Sequence, residues 1–138
     1  MVISRAQVNE LLRFLPLLDL PNSKLEVEWI HGQTSDADAV LSLPYPIYPA
    51  VVSELFSIAA QPWWMDVTYS PHHARALLAD DQAIASASIG QIKTMLTYCV
   101  RGERFCDGHW AHMIMTGRMT AILLRLKEIQ DVVIDRAS

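Results

Sequence analysis

The chain has 138 residues, 51% of them hydrophobic and 19% charged, a balance that excludes a disordered segment. No apolar run approaches the roughly 18 residues of a membrane span. The opening "MVISRAQVNE" lacks the apolar stretch of a signal peptide, and two cysteines are too few for a secreted disulfide scaffold, so a cytoplasmic protein is expected. The net charge of −4 is uneven, with four Lys/Arg against ten Asp/Glu in residues 1–88 but six against two in residues 89–127. Such a split can mark a basic face. Two halves that pack together and neutralise each other explain it more simply.

All seven prolines lie at or before position 71, and four of the five glycines at or after position 90. A proline-punctuated half, 1–87, is therefore expected to precede antiparallel helices over 88–130, with a fraying tail over 131–138. Ser4 and Gln7 form a capping box before the stripe Val8, Leu11, Leu12 and Leu15, and Pro16 and Pro21 end or kink that helix. Residues 25–30 alternate apolar and charged side chains, the period of a half-buried strand, and 39–43 can pair with them as a short β-hairpin. Pro44, Pro46 and Pro49 confine any strand there to an edge.

Pro49 suits the first turn of a helix with the stripe Val52, Leu55, Phe56 and Ala59. Trp63, Trp64 and Tyr69 read as core aromatics. Ser70-Pro71 opens a helix that buries Ala74, Leu77 and Leu78. Ser88 and Gln91 form a second capping box, and Ile89, Ile92, Met95, Leu96 and Cys99 share one face of the helix they open. Gly102 is read as the residue that ends it, and Asp107 as the N-cap of the next helix, which stops near Gly117. A last helix buries Met119, Ile122, Leu123, Leu126 and Ile129. The expected fold is mainly α, with five or six helices and a short hairpin near residues 25–45 in one compact domain, 1–138.

The stretch "CVRGERFCDGHW" carries most of the chemistry. Cys99, Cys106, His109 and His112 are zinc-type ligands, but C-x6-C-x2-H-x2-H lacks the paired spacing of zinc sites, and Cys99 faces the core, so no metal is expected. Cys106 beside Arg101, Arg104 and a helix start has features of an activated thiol, and Asp107 opposes them. A Cys–His dyad with His109 requires a contact that spacing alone does not establish. Arg101 and Arg104 can grip an anion at the helix start, or pair internally with Asp66, Asp80 or Asp107. The internal pairing is the simpler of these. His72 and His73 point in different directions and make a poor ligand pair. Helix-turn-helix recognition is disfavoured, because "GHWAHMIMTG" offers few side chains able to read bases.

The residues Thr97, Val100, Arg101, Arg104, Phe105, Cys106, Asp107, Gly108 and His109, followed by Gly117, Leu124, Arg125 and Leu126, form a long pattern. On these residues the chain resembles the bacterial domain-of-unknown-function family 6508. "LLRFLPLLD" and the segment around Trp63 extend the similarity less specifically. The resemblance implies no activity. It implies that shared structure or function centres on Arg101, Arg104, Cys106, Asp107 and His109, and it leaves Cys99 and His112 outside the pattern.

With no complete catalytic constellation, the leading reading is a non-enzymatic binding or accessory module, with no cofactor. The alternative is a small enzyme or an anion- or phosphate-binding protein using Arg101, Arg104, Cys106 and His109. Weak nucleic-acid binding through Arg101, Arg104, Arg118 and Arg125 ranks third. The partner is unknown. Met113, Met115 and Met119 can serve a homo-oligomer or protein interface as readily as the core, and no membrane association is expected.

Overall fold

Short apolar stripes punctuated by caps and prolines dictate many short helices, and the chain folds that way. The computed structural model describes residues 3–18, 28–30, 45–104 and 108–137. Helix α1 spans Arg5–Leu12, and both halves of its capping box form: Gln7 N donates to Ser4 Oγ at 3.2 Å and Ser4 N to Gln7 Oε1 at 2.9 Å. Pro16 does not kink this helix. It lies in the first turn of a separate short helix, α2 (Leu15–Leu18), where its missing N–H is tolerated.

Strand β1 (Glu28–Ile30) pairs antiparallel with β2 (Tyr45–Ile47), with Trp29 opposite Pro46. The hairpin expected with 39–43 as its second strand is therefore corrected. Those residues lie outside the described ones, and the pairing falls on the proline segment. Among the described residues this is a two-stranded sheet with Pro46 on one strand, the edge type of pairing that proline permits.

Helix α3 (Ala50–Ala59) follows Pro49, which is its N-cap, and buries Val52, Leu55, Phe56 and Ala59, the stripe its period predicts. A single 3-10 turn, Pro62–Trp64, then places Trp64 fully inside. Helix α4 (Pro71–Leu78) is capped by Ser70 and buries Ala74, Leu77 and Leu78. A further helix, α5 (Asp81–Ala85), was not anticipated. Asp80 caps it by accepting from Gln82 N at 3.0 Å, so 71–85 forms two helices.

Helix α6 (Ile89–Gly102) forms its capping box on Ser88 and Gln91 and buries Ile92, Met95, Leu96 and Cys99. Helices α7 (His109–Met115) and α8 (Arg118–Ala137) complete the chain. The expected count of five or six helices is thus exceeded among the described residues. Helix α8 meets neither Gly nor Pro and runs to Ala137.

The core forms around α6, which packs against α3, α4, α7 and α8, while α8 also covers α1, α2 and α5. Met113 and Met119 belong to that core, and Met115 stands outside it, 75% exposed. The loop before α4 is pinned to α6 by Asp66. Its N–H donates to Thr97 Oγ1 at 2.8 Å, and its carboxylate accepts from Thr94 Oγ1 at 2.7 Å. The Thr94 hydroxyl is the main reason its carboxyl sits below the ordinary range. Burial opposes the shift, and the Thr68 hydroxyl and N–H and the Arg101 charge add to it.

Candidate functional site

The joint between α6 and α7 is built on two glycines and one glutamate. Gly102 is the last residue of α6 and not a left-handed cap beyond it. A Cβ there would lie 2.3–2.7 Å from the His109 ring, so only glycine leaves room for the imidazole. The N-cap of α7 is Gly108 at φ 88°, in place of the expected Asp107. Glycine adopts that backbone without strain but brings no side-chain oxygen.

Glu103 supplies the missing acceptor from the end of the preceding helix. Its carboxylate accepts from Gly108 N at 2.7 Å and Trp110 N at 3.0 Å, and it also takes the Tyr48 hydroxyl. A negative charge at a helix start also meets the positive end of the dipole. Trp110 is fixed in turn by stacking on Phe56, with ring centroids 4.6 Å apart, and by donating Nε1 to the Val100 carbonyl at 3.2 Å. Burial, then the Glu103 hydrogen bond and charge, raise the Tyr48 hydroxyl far above its ordinary range, so it stays a donor.

His109 is 9% exposed, and its ring meets Tyr98 edge-on at 5.2 Å. Its Nε2 is buried with no hydrogen-bond partner among the described residues. Burial lowers its pKa, with His112 adding to the shift, while the Glu103 charge and a backbone hydrogen bond with Tyr98 oppose it. The imidazole is therefore held neutral. Cys99 is fully buried, and burial pushes its thiol up to about 12, so its thiolate is disfavoured at neutral pH. Among the described residues no group of three metal-type side chains forms.

The remaining predicted site residues disperse. Arg101 is half-buried, with its guanidinium 5.2 Å from the centre of the Tyr69 ring. Arg104 is exposed. Neither forms an ion pair with Asp66 or Asp80, since the ion pairs among the described residues are Arg13–Glu54 and Arg125–Glu128. Cys106 and Asp107 lie outside the described residues.

The structure instead gathers cation-type groups beside the joint, in an open cleft of about 260 Å³ between α4, α6, α7 and α8. Arg75, His112 and Arg118 line it, with Leu78, Met113, Tyr98 and one side of His109 forming the rest of the wall. No carboxylate is among these residues. Arg118 Nε donates to the Leu78 carbonyl at 3.1 Å, and its Nη1 lies 3.3 Å from His112 Nε2. A guanidinium can only donate, so any hydrogen bond in this contact runs from Arg118 to the imidazole.

Sequence reasoning missed Glu103, Tyr48 and Arg75 and placed Arg118 and His112 in other roles. No sequence signal marked Glu103: its role follows from the left-handed Gly108, an N-cap without an oxygen that requires an acceptor from elsewhere. The arginine cleft left no local pattern, because α4 and α8 meet only in the folded chain. A family model described as "Family of unknown function (DUF6508)" matches residues 3–132. No curated protein and no solved structure matches the chain.

Proposed function

Since the chain belongs to the Family of unknown function (DUF6508), its role is read from its own geometry, and we propose that it is a non-enzymatic binding module, a single cytoplasmic domain of bacterial origin. One observation carries this reading. Among the described residues, the Glu103 carboxylate of the α6–α7 joint is spent on Gly108, Trp110 and Tyr48, while the cleft next to it keeps Arg75, His112 and Arg118 on an open wall. A group that works as nucleophile or base needs access to a reacting atom. Glu103 is occupied on both oxygens, and His109 is wedged against Gly102. The cleft in turn offers a way to hold a ligand without transforming it.

The test is ligand-observed and protein-observed NMR on the purified full chain with a panel of small metabolites. Ligands are expected to shift resonances of Arg75, His112 and Arg118 and to be recovered unchanged. Reproducible turnover abolished by Cys106→Ala or His109→Ala overturns the reading. Nucleic-acid binding is less well supported, because Arg125 is committed to the Ala87 carbonyl and Glu128 and Arg101 lies over Tyr69.

A further inference from the structure

We propose that the cleft between α4, α7 and α8 is a site for one phosphate group, held by Arg75, Arg118 and His112. This rests on the binding-module reading and names the ligand class of that site. Two other arginines of this chain, Arg13 and Arg125, sit against a carboxylate. Arg13, beside a shallow groove, is within 3.9 Å of Glu54. Arg125 donates Nε to the Ala87 carbonyl at 2.9 Å and completes its fork on Glu128 at 3.0 Å. Arg118 repeats the first half of that arrangement on Leu78, but its Nη1 finds only an imidazole, and its Nη2 makes no hydrogen bond to the described residues. Arg75, exposed on α4, makes none either.

Two permanent cations on one wall, with no carboxylate among the described residues that line it, repel each other, and a bound anion converts that repulsion into attraction. Guanidinium forks suit phosphoryl oxygens in geometry as well as charge. Arg75, His112 and Arg118 come from three different helices that meet at the cleft. That arrangement suits a doubly charged tetrahedral oxyanion better than a flat, singly charged carboxylate. The ligand becomes the acceptor for Arg118 Nη1 in place of His112. The volume of about 260 Å³ lies below the range of roughly 300–1,000 Å³ for drug-sized ligands. The cleft therefore takes the phosphate end of a small molecule. Leu78 and Met113 leave an apolar margin for a short organic part.

The test is isothermal titration of the full chain with inorganic phosphate at constant ionic strength, alongside thermal unfolding. Saturable binding is expected, weakened at least tenfold by Arg75→Gln and by Arg118→Gln and unchanged by Arg125→Gln. Arg118→Gln also loses the Leu78 carbonyl bond and can destabilise the fold. Arg75→Gln, at an exposed position without such a bond, keeps the test decisive. Glycerol phosphate binding more tightly than inorganic phosphate supports the site and identifies its ligand as a phosphomonoester, whereas the reverse supports free phosphate. No saturable binding beyond the effect of chloride, unchanged affinity in Arg75→Gln, or malonate binding more tightly than phosphate overturns the proposal. Other ligands mapping to the cleft without turnover in that case leave the module reading standing. Turnover lost on His109→Ala removes the module reading whatever the phosphate result.

Discussion

Two neighbouring regions of this molecule handle polar groups in opposite ways. At the α6–α7 joint a glycine-capped helix start, a carboxylate and a tyrosine hydroxyl satisfy one another. In the adjoining cleft, arginine and histidine side chains share one wall, with no carboxylate among the described residues that line it. Arg118 and Arg125 show the difference most sharply. They lie two turns apart on α8, and each anchors Nε on a backbone carbonyl near the end of an earlier helix. Beyond that anchor, Arg125 ends on Glu128 while Arg118 ends on His112. The same local device is completed inside the fold in one case and left facing the cleft in the other. The open end of the Arg118 fork, next to a joint whose Glu103 carboxylate is occupied on both oxygens, is what the phosphate proposal rests on.

The joint can be broken most severely at Glu103. Glu103→Gln puts an amide NH2 against one of the N–H groups that the carboxylate now accepts and removes the charge that faces the helix start. Hydrogen bonds to charged groups are worth about 1.5–3 kcal/mol, and denaturant unfolding should show a loss in that range. Tyr48→Phe, which leaves Glu103 its two backbone donors, should cost less. An equal cost would show that the hydroxyl and not the backbone carries the joint.

Next in size is Gly102→Ala. Alanine raises helix propensity by up to about 1 kcal/mol over glycine. Against that gain, a Cβ at 2.3 Å from the His109 ring forces the ring to move, and overpacking costs about 1–3 kcal/mol. The net effect should be a loss, and the double variant with His109→Ala should recover part of it in a mutant cycle. Full additivity would show that the close approach does not constrain the joint.

The two arginines provide the smaller and more discriminating pair. Arg125→Gln and Arg118→Gln each remove a hydrogen bond to a backbone carbonyl, so each should lower stability by about 1 kcal/mol in the absence of anions. High phosphate should stabilise the Arg125 variant as it does the parent and leave the Arg118 variant behind. Equal responses would erase the contrast between a completed and an open fork.

How far these features were legible follows from their range along the chain. The stripe Val52, Leu55, Phe56 and Ala59 and both capping boxes depend on neighbours three or four residues apart, and helical periodicity displays them in the sequence. Pro16 misled because proline is excluded from a helix interior but admitted in a first turn, and a break at residues 13–14 decides between the two. Arg101 and Arg104 drew attention as neighbours in sequence. The arginine of the cleft instead meets Leu78 across 40 residues. Asp66 and Thr97, 31 apart, likewise gave no local pattern. The capping role of Glu103 lay within one short stretch, but only the left-handed backbone of Gly108 reveals it.

His109 belongs to both regions, and it yields the smallest effect with the clearest sign. Burial disfavours the imidazolium, so its folded pKa lies below the unfolded value of about 6.5. Between those two values the unfolded chain holds a proton that the native state does not. Stability therefore rises with pH across that window and is lost as pH falls from about 6.5 through the folded value. Glu103 opposes the shift, so Glu103→Gln should steepen the acid-side loss. His109→Ala should flatten it, although the cavity it leaves lowers stability at every pH. The measurement is the unfolding free energy between pH 7 and 5 for parent and variants. A parent that gains stability on acidification relative to His109→Ala would mean that the Glu103 charge outweighs burial. The imidazole would then act as a cation on the cleft wall and not as a neutral wedge in the joint.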